Sequence, residues 1–252
     1  TVARSISWSN GQGVSLPYSG TRPDIGADGL SRGGTGNALV AHWPLDEGTG
    51  TSAADATGHG HTGTLIDAPT WSLGRIGPSA LTFDGRSQCV RVPGPFRQST
   101  YTWALWIKGT TAPDTATNQQ VVVNGSGAGD NWGFNWSNTF STFQQAAYQK
   151  DDTGALVAAQ IAATTPLSGN QWYHVVGTYD GADLKVYLNG LLSGRTNNVS
   201  LHDAEGDFGI GNHLGRSNGF AGQIADVRVY NYALSAAEVQ TLYESHSLVA
   251  HW

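Results

Sequence analysis

The chain is built from short runs of β-branched and aromatic residues, and pairs able to turn the backbone sharply stand between many of them. Such a pattern leaves little room for anything but antiparallel sheet. Runs at 101–108, 121–124, 132–136, 142–149, 171–179, 184–189 and 223–230 come close to alternating apolar with polar, the period that puts one face of a strand on a core and the other in water. The pairs Asp84-Gly85, Asn124-Gly125, Asp180-Gly181, Asn189-Gly190 and Asn218-Gly219 supply the positive φ angles that tight turns demand. This spacing suits a sandwich or barrel, and the class is all-β. Residues 234–239 break the pattern: Ser235 and Glu238 form a capping box, and Leu234 with Val239 a hydrophobic staple. They predict one short helix ending near His246.

With 252 residues, 39% of them apolar and 10% aromatic, the chain can bury the core of one large β domain or two small ones. Only 13% of residues are charged, the formal net charge is −6, and no run of Lys or Arg occurs. That balance excludes an electrostatic footprint for nucleic acid or an anionic membrane. No stretch approaches the roughly 20 apolar residues of a membrane span. Abundant Gly, Ser, Thr, Asn and Ala predict a neutral, hydroxyl- and amide-rich surface of the kind that meets sugars. Met is absent even from position 1, which points to a chain processed or cut from a longer one. The single Cys89, within the alternating run 88–92, allows no internal disulfide and reads as a buried strand residue.

One pentapeptide, LVAHW, occurs at 39–43 and again at 248–252. Either 39–247 is one module and 248–252 opens a second repeat of a tandem array, or both copies are edge strands of one domain. Residues 1–38 are Gly-rich and irregular, a separate extension or linker. Within them the octet TRPDIGAD at 21–28 resembles the closing segment of right-handed parallel β-helix proteins, which implies a polysaccharide lyase or hydrolase upstream.

Seven blocks in order carry a broader resemblance: LVAHWPLDEGTG at 39–50, DATGHGHTGTL at 55–65, ALTFDG at 80–85, WALWIK at 103–108, QWYHVVGTYDG at 171–181, LKVYLNG at 184–190 and FAGQIADVRVYNYALSAAEVQTLY at 220–243. The series resembles the laminin-G-like jelly-roll domains of the concanavalin A-like lectin/glucanase superfamily, found in secreted, extracellular bacterial enzymes and adhesins. The resemblance implies a two-sheet antiparallel jelly-roll β-sandwich with the helix near its C-terminal end. It also implies a structural calcium ion where the acidic turn after the first strand meets the last strand, with Asp46 and Asp226 as ligands. Calcium takes six to eight oxygens, and two carboxylates with turn carbonyls can supply them.

Candidate binding residues come from 130–136, where alternation places Trp132, Phe134 and Trp136 on one face of a strand. Such a wall is a stacking platform for sugar rings or a core face, and large aromatics on one face of a sandwich are more often buried than exposed. Tyr148, on a neighbouring run, is a further candidate. Trp103, Trp172 and His174 fall in blocks that the resemblance assigns to packing. His59, His61 and the acids Asp203, Glu205 and Asp207 read as solvated loop residues. Gly58, Gly60 and Gly63 match a dinucleotide fingerprint without the strand and helix it needs. The sandwich glucanases carry a Glu-x-Asp-x-x-Glu strand whose carboxylates act as acid and nucleophile, and this sequence has none. The expected function is a non-catalytic carbohydrate-binding or adhesive module of a larger secreted protein, with a glycan and neighbouring domains as partners. The alternatives are a structural spacer in an array and, third, a polysaccharide lyase or glycosidase.

Overall fold

The computed structural model describes residues 6–7, 13–14, 38–94, 96, 98–112, 119–125, 131–137, 142–150, 156–162, 164, 166–197, 206–212 and 218–247; at 6–7, 13–14, 131–132, 136–137, 142–150 and 156–162 it describes strands and not side chains. In chain order the first strands are β1 (Ile6–Ser7), β2 (Gly13–Val14), β3 (Leu39–Trp43), β4 (Ser52–Ala53), β5 (Gly63–Ile66), β6 (Thr70–Leu73), β7 (Ser79–Asp84), β8 (Cys89–Val92) and β9 (Tyr101–Gly109). They are followed by β10 (Gln119–Asn124), β11 (Asn131–Ser137), β12 (Thr142–Lys150), β13 (Leu156–Ala162), β14 (Tyr173–Tyr179), β15 (Leu184–Leu188), β16 (Leu191–Thr196), β17 (Phe208–Ile210) and β18 (Ala221–Tyr230). The helix α1 (Ala236–Ser247) follows.

Two eight-stranded sheets result. The first runs β16-β15-β14-β9-β18-β7-β6 with β3 also on β18, and the second runs β13-β12-β11-β10-β17-β8-β5-β4. Pairing within both is antiparallel. This is the two-sheet jelly-roll sandwich that the resemblance implies, and one of the two architectures that the alternation allows. Among the described residues β1 and β2 pair with each other and with no other strand. The octet at 21–28 and the second LVAHW at 248–252 lie outside the described residues.

The inner faces meet in one apolar core, to which the first sheet gives Trp43, Phe83, Trp103, Leu105 and Val175, and the second Val90, Val122, Phe134, Phe208 and Ile210. Trp43 stacks on Phe208 with ring centroids 5.4 Å apart, and Trp103 meets Phe134 edge-on at 5.6 Å. These are the offset and edge arrangements that aromatic quadrupoles favour. The Trp43 indole N–H donates to the His61 carbonyl at 2.7 Å, so its one polar atom is satisfied inside the core.

Turn chemistry follows the sequence at most of the expected pairs. Asn189 (φ 49°) and Gly190 (φ 84°) close a two-residue hairpin between β15 and β16, with Leu188 opposite Leu191, which is the Asn-Gly preference for a turn with two positive φ angles. Gly85, Gly125 and Gly181 also have positive φ. Asn218-Gly219 differs: Gly219 bridges to Gln120 and makes no positive-φ turn.

At the start of α1 the Ser235 hydroxyl accepts from the Glu238 N–H, and the Glu238 carboxylate accepts from the Ser235 N–H at 2.7 Å. Leu234, Val239 and Leu242 then pack with Ala104, Val176, Tyr187 and Tyr230 in a second, smaller cluster. The helix therefore seals the outer face of the first sheet. Trp43→Ala is expected to cost ~3–5 kcal/mol through the cavity left between the sheets, whereas Leu73→Ser, at a residue 85% exposed, should change stability by less than about 0.5 kcal/mol. Urea unfolding of both variants checks this.

Candidate functional site

A buried polar cluster lies beneath α1 and is organised by a bulge in β18. Asp226 has φ 52°, and the register on β9 shifts between Ala225 and Arg228. Ile224, Val227 and Val229 thereby all reach the main core, while Ala225 packs with Trp106 on the other face. An unbroken alternation from Ile224 would have driven Asp226 and Arg228 into the core. The extra residue re-aims them.

Asp226 is buried, and its carboxylate accepts from His42 Nε2 at 2.7 Å and from Arg228 Nε at 3.1 and 3.2 Å. Arginine only donates, so His246 Nε2 is the acceptor of the 3.2 Å bond from Arg228 Nη2. Burial alone would raise the Asp226 pKa, yet Arg228, the His42 hydrogen bond and His246 hold it far below the ordinary carboxylate range. Three elements thus meet on one anion: β3 through His42, β18 through Arg228, and α1 through His246. His174, opposite Trp106 on β14, borders this cluster, and burial pushes its pKa down to about 3. It is a packing residue, although its Nδ1 has no hydrogen-bond partner among the described residues.

Of the two acids that the resemblance assigns to calcium, Asp46 is exposed, and Asp226 is already paired with the Arg228 guanidinium. The two are near in the backbone, because the Asp226 N–H donates to the Pro44 carbonyl at 3.0 Å. Leu45, between Pro44 and Asp46, also has positive φ (57°). The contacts of Asp226 do not fit a calcium ligand, since a divalent ion there would sit against a guanidinium. No group of three or more His, Cys, Asp or Glu that could hold a metal occurs among the described residues.

The aromatic strand is β11. Phe134 is fully buried against Trp103, and β11 pairs with β12 one to one, without a bulge. Trp132 and Trp136 occupy the same parity as Phe134; their side chains, like that of Tyr148, lie outside the described residues. In this register Tyr148 stands opposite Asn131, and Gln144 opposite Asn135. By backbone register Tyr148 therefore differs in parity from Trp132 and Trp136.

Other acids hold the scaffold. Asp55 accepts from the N–H groups of His42, Thr57 and His61, Asp207 pairs with Arg91, and Asp180 and Asp183 pair with Lys185 and Arg195. Asp203 and Glu205 lie outside the described residues. His59 is exposed and donates from Nδ1 to the Val40 carbonyl. Cys89 is buried, and burial pushes its thiol up to about 11, as expected of an inert strand residue.

The profile of the concanavalin A-like lectin/glucanases superfamily matches residues 83–240. The chain belongs to this superfamily. Among solved structures it is similar to domain 4 of AbnA, a GH43 extracellular arabinanase from Geobacillus stearothermophilus, in complex with arabinotriose. That match has 19% identity and a TM-score of 0.64, over 82% of this chain and 99% of that one. The ligand-binding domain of botulinum neurotoxin serotype D, in complex with N-acetylneuraminic acid, is 13% identical with a TM-score of 0.60, over 83% of this chain and 51% of that one. A sialidase of Trypanosoma rangeli, in complex with 2,3-difluorosialic acid, is 17% identical with a TM-score of 0.62, over 100% of this chain and 37% of that one. No curated protein matches the chain. These likenesses establish the superfamily fold, which hosts more than one function.

Sequence reasoning singled out Asp226 and missed His42, Arg228 and His246. The readable signal was the parity break in Ile224-Ala225-Asp226-Val227-Arg228-Val229, which an uninterrupted strand cannot satisfy. In this superfamily member the cluster makes stability pH-dependent. Burial depresses His246, Asp226 draws it back, and Arg228 depresses it further; its folded pKa lies below 6.5, as does that of His174. Below about pH 6.5 the unfolded chain takes up these protons before the folded one, so stability is full above that pH and is lost as pH falls. Each group contributes a slope of up to about 1.4 kcal/mol per pH unit within its window. The thermal midpoint is expected to fall steadily from pH 7 to pH 4, and His174→Gln to flatten the decline; a midpoint independent of pH across that range would contradict the assignment.

Proposed function

We propose that the chain is a non-catalytic carbohydrate-binding module of a larger secreted protein that acts on polysaccharide. The observation that carries this reading is the end-to-end likeness to a domain of an extracellular arabinanase solved with arabinotriose, 99% of which the chain spans. The acids that geometry describes support it as well, because most are committed to turns and ion pairs rather than facing one another as an acid and a nucleophile do. The octet at 21–28, with its resemblance to the end of a β-helix, fits a polysaccharide-active neighbour upstream.

The sugar is placed on the second sheet at β11 and β12. Tyr148 stands at the parity opposite to Phe134, across from Asn131, and Asn135 and Gln144 pair at that same parity. Apolar faces of sugar rings pack on aromatic rings while amides bond the hydroxyls. Trp132 and Trp136, at the parity of the buried Phe134, are the alternative platform. Arabinan and sialylated glycans are the first ligands to test. Tyr148→Ala is expected to weaken binding at least tenfold, about 1.4 kcal/mol, in isothermal titration or affinity electrophoresis. Trp132→Ala and Trp136→Ala are expected to lower the melting midpoint and leave the affinity of the folded fraction intact. A blank glycan array and polymer pull-down at high protein concentration, with calcium present, would remove the reading.

Calcium belongs to the same proposal at Asp46, the exposed acid near the Pro44 carbonyl. Asp226 would first have to give up Arg228 and His42. A ligand that binds only the folded state at 100 times its Kd adds about 2.7 kcal/mol. Calcium should therefore raise the midpoint of the chelated protein, and Asp46→Ala should abolish the increment; equal midpoints with calcium and with chelator would count against an ion at this place.

A further inference from the structure

α1 covers only part of the outer face of the first sheet. Its Val239 and Leu242 pack with Ala104, Val176, Tyr187 and Tyr230, and Tyr243 reaches the Trp106 ring at a centroid distance of 5.8 Å. Beyond Trp106, toward β7 and the edge strand β6, the outer positions turn polar. Lys108 on β9 stands opposite Gln223 on β18, and Gln223 opposite Thr82 on β7. All three are half-buried. They share the parity of Trp106, Ala225 and Ala80, which cluster on this face, while Ile107, Ile224 and Leu81 pack in the main core.

The polar groups here are ordered before any ligand arrives. The Ser72 and Thr82 hydroxyls lie 2.7 Å apart, and Gln223 Nε2 donates to the Ser72 hydroxyl at 2.6 Å. This ladder crosses β6, β7 and β18, so a ligand that uses it freezes little side-chain motion. Beside it, the loop between β6 and β7 lays Arg75 over the Trp106 ring, with the guanidinium carbon 4.4 Å from the ring centroid. The attraction between cation and ring holds the guanidinium in place, yet Arg75 stays exposed. The Trp106 indole N–H is buried and has no hydrogen-bond partner among the described residues.

Charge sets this face apart. The chain has 13 Lys and Arg against 19 Asp and Glu, and Arg91, Lys185, Arg195 and Arg228 all pair with carboxylates. Among the described residues Arg75 and Lys108 pair with none. Asp46, beside Gly77 of the loop, and Asp84, at the end of β7, lie at the margins of the face and engage neither cation. Lys108 is two residues along β9 from the ring that Arg75 covers, roughly 7 Å at the backbone, so one extended ligand can meet both cations.

We propose that this part of the outer face binds an acidic glycan, a polyuronate chain, with Arg75 and Lys108 taking its carboxylates and the ladder of Ser72, Thr82 and Gln223 its hydroxyls. A guanidinium fork matches the planar carboxylate in two parallel hydrogen bonds. Two cations suit spaced single charges and not the dense charge of a sulfated polymer. The site lies on the sheet opposite to β11 and β12, and stands or falls independently of a neutral-sugar site there.

Affinity electrophoresis and isothermal titration test it, with polygalacturonate and alginate as probes, arabinan as the neutral control and dextran sulfate as the control for ion exchange. The chain is expected to bind a polyuronate at low salt and to lose affinity as salt rises. Arg75→Gln and Lys108→Gln should each weaken binding about twofold to fivefold, as loss of one exposed ion pair does, and should flatten the salt dependence. Lys108→Gln should keep the melting midpoint, so that its loss of binding is not a loss of fold, and Arg75→Lys should recover part of the affinity that Arg75→Gln loses. Tyr148→Ala is expected to leave polyuronate affinity unchanged. Absence of polyuronate binding at low salt, or binding that both Gln variants leave intact, would overturn the site. Loss in Tyr148→Ala alone would move the acidic glycan to the second sheet and overturn it likewise. Equally tight binding of dextran sulfate would reduce the effect to ion exchange, and a parallel loss of arabinan binding in the two Gln variants would make the ligand neutral; either result refutes the assignment.

Discussion

A carboxylate taken out of water must be paired or protonated, and how Asp226 is paired organises much of this sandwich. Its partners come from three parts of the chain: His42 on the first strand of the sandwich, Arg228 on the last, and His246 on the helix, which meets the same anion through Arg228. β18 is also the strand on which β3, β7 and β9 pair. Removing one partner would strand a buried charge, which costs far more than the pair contributes. The network is therefore better understood as fixing where β3 and α1 sit than as a large source of stability. The apolar contacts of Trp43 and of Leu234, Val239 and Leu242 supply the energy.

The strain in this region has the same origin. Two non-glycine residues, Leu45 and Asp226, adopt left-handed backbone beside the Pro44 carbonyl. Such conformations cost of order 1 kcal/mol or more each and persist only where the surroundings over-determine them. Leu45 is fully buried in the core, and Asp226 is held by Arg228 and His42. The bulge reconciles two demands on one strand: Val227 and Val229 must face inward, and the charges between and before them must not.

Much of this was legible in the sequence and some was not, for identifiable reasons. Long runs such as Tyr101–Gly109 carry many positions of period two. The capping box at Ser235 and Glu238 is local chemistry, as is the Asn189-Gly190 hairpin. Strands such as Ser52–Ala53 and Phe208–Ile210 are too short to show a period, and their neighbours alone define them. The cluster on Asp226 was hidden because His42 lies 184 residues away along the chain. Alternation correctly grouped Trp132, Phe134 and Trp136 by parity. It could not say that this is the parity of the core, which follows only once Phe134 is seen against Trp103, nor that Tyr148 falls on the other face, which needs the β11–β12 register.

The block at 55–65 shows how the first strand of the sandwich is kept from pairing further. β3 has β18 on one side, and its other side is an edge, with backbone groups ready to pair with any strand that approaches. Here the Gly-rich turn covers it. Asp55 accepts from the His42 N–H, the Ala56 N–H donates to the His42 carbonyl, and His59 Nδ1 donates to the Val40 carbonyl. The outward-facing groups of Val40 and His42 are thus engaged by side chains and one backbone amide, which cannot propagate a sheet. Gly58 and Gly60, both at positive φ, let the turn fold back tightly enough to do this. The turn that the sequence presents as a false dinucleotide fingerprint is, in its physical effect, the guard on that edge.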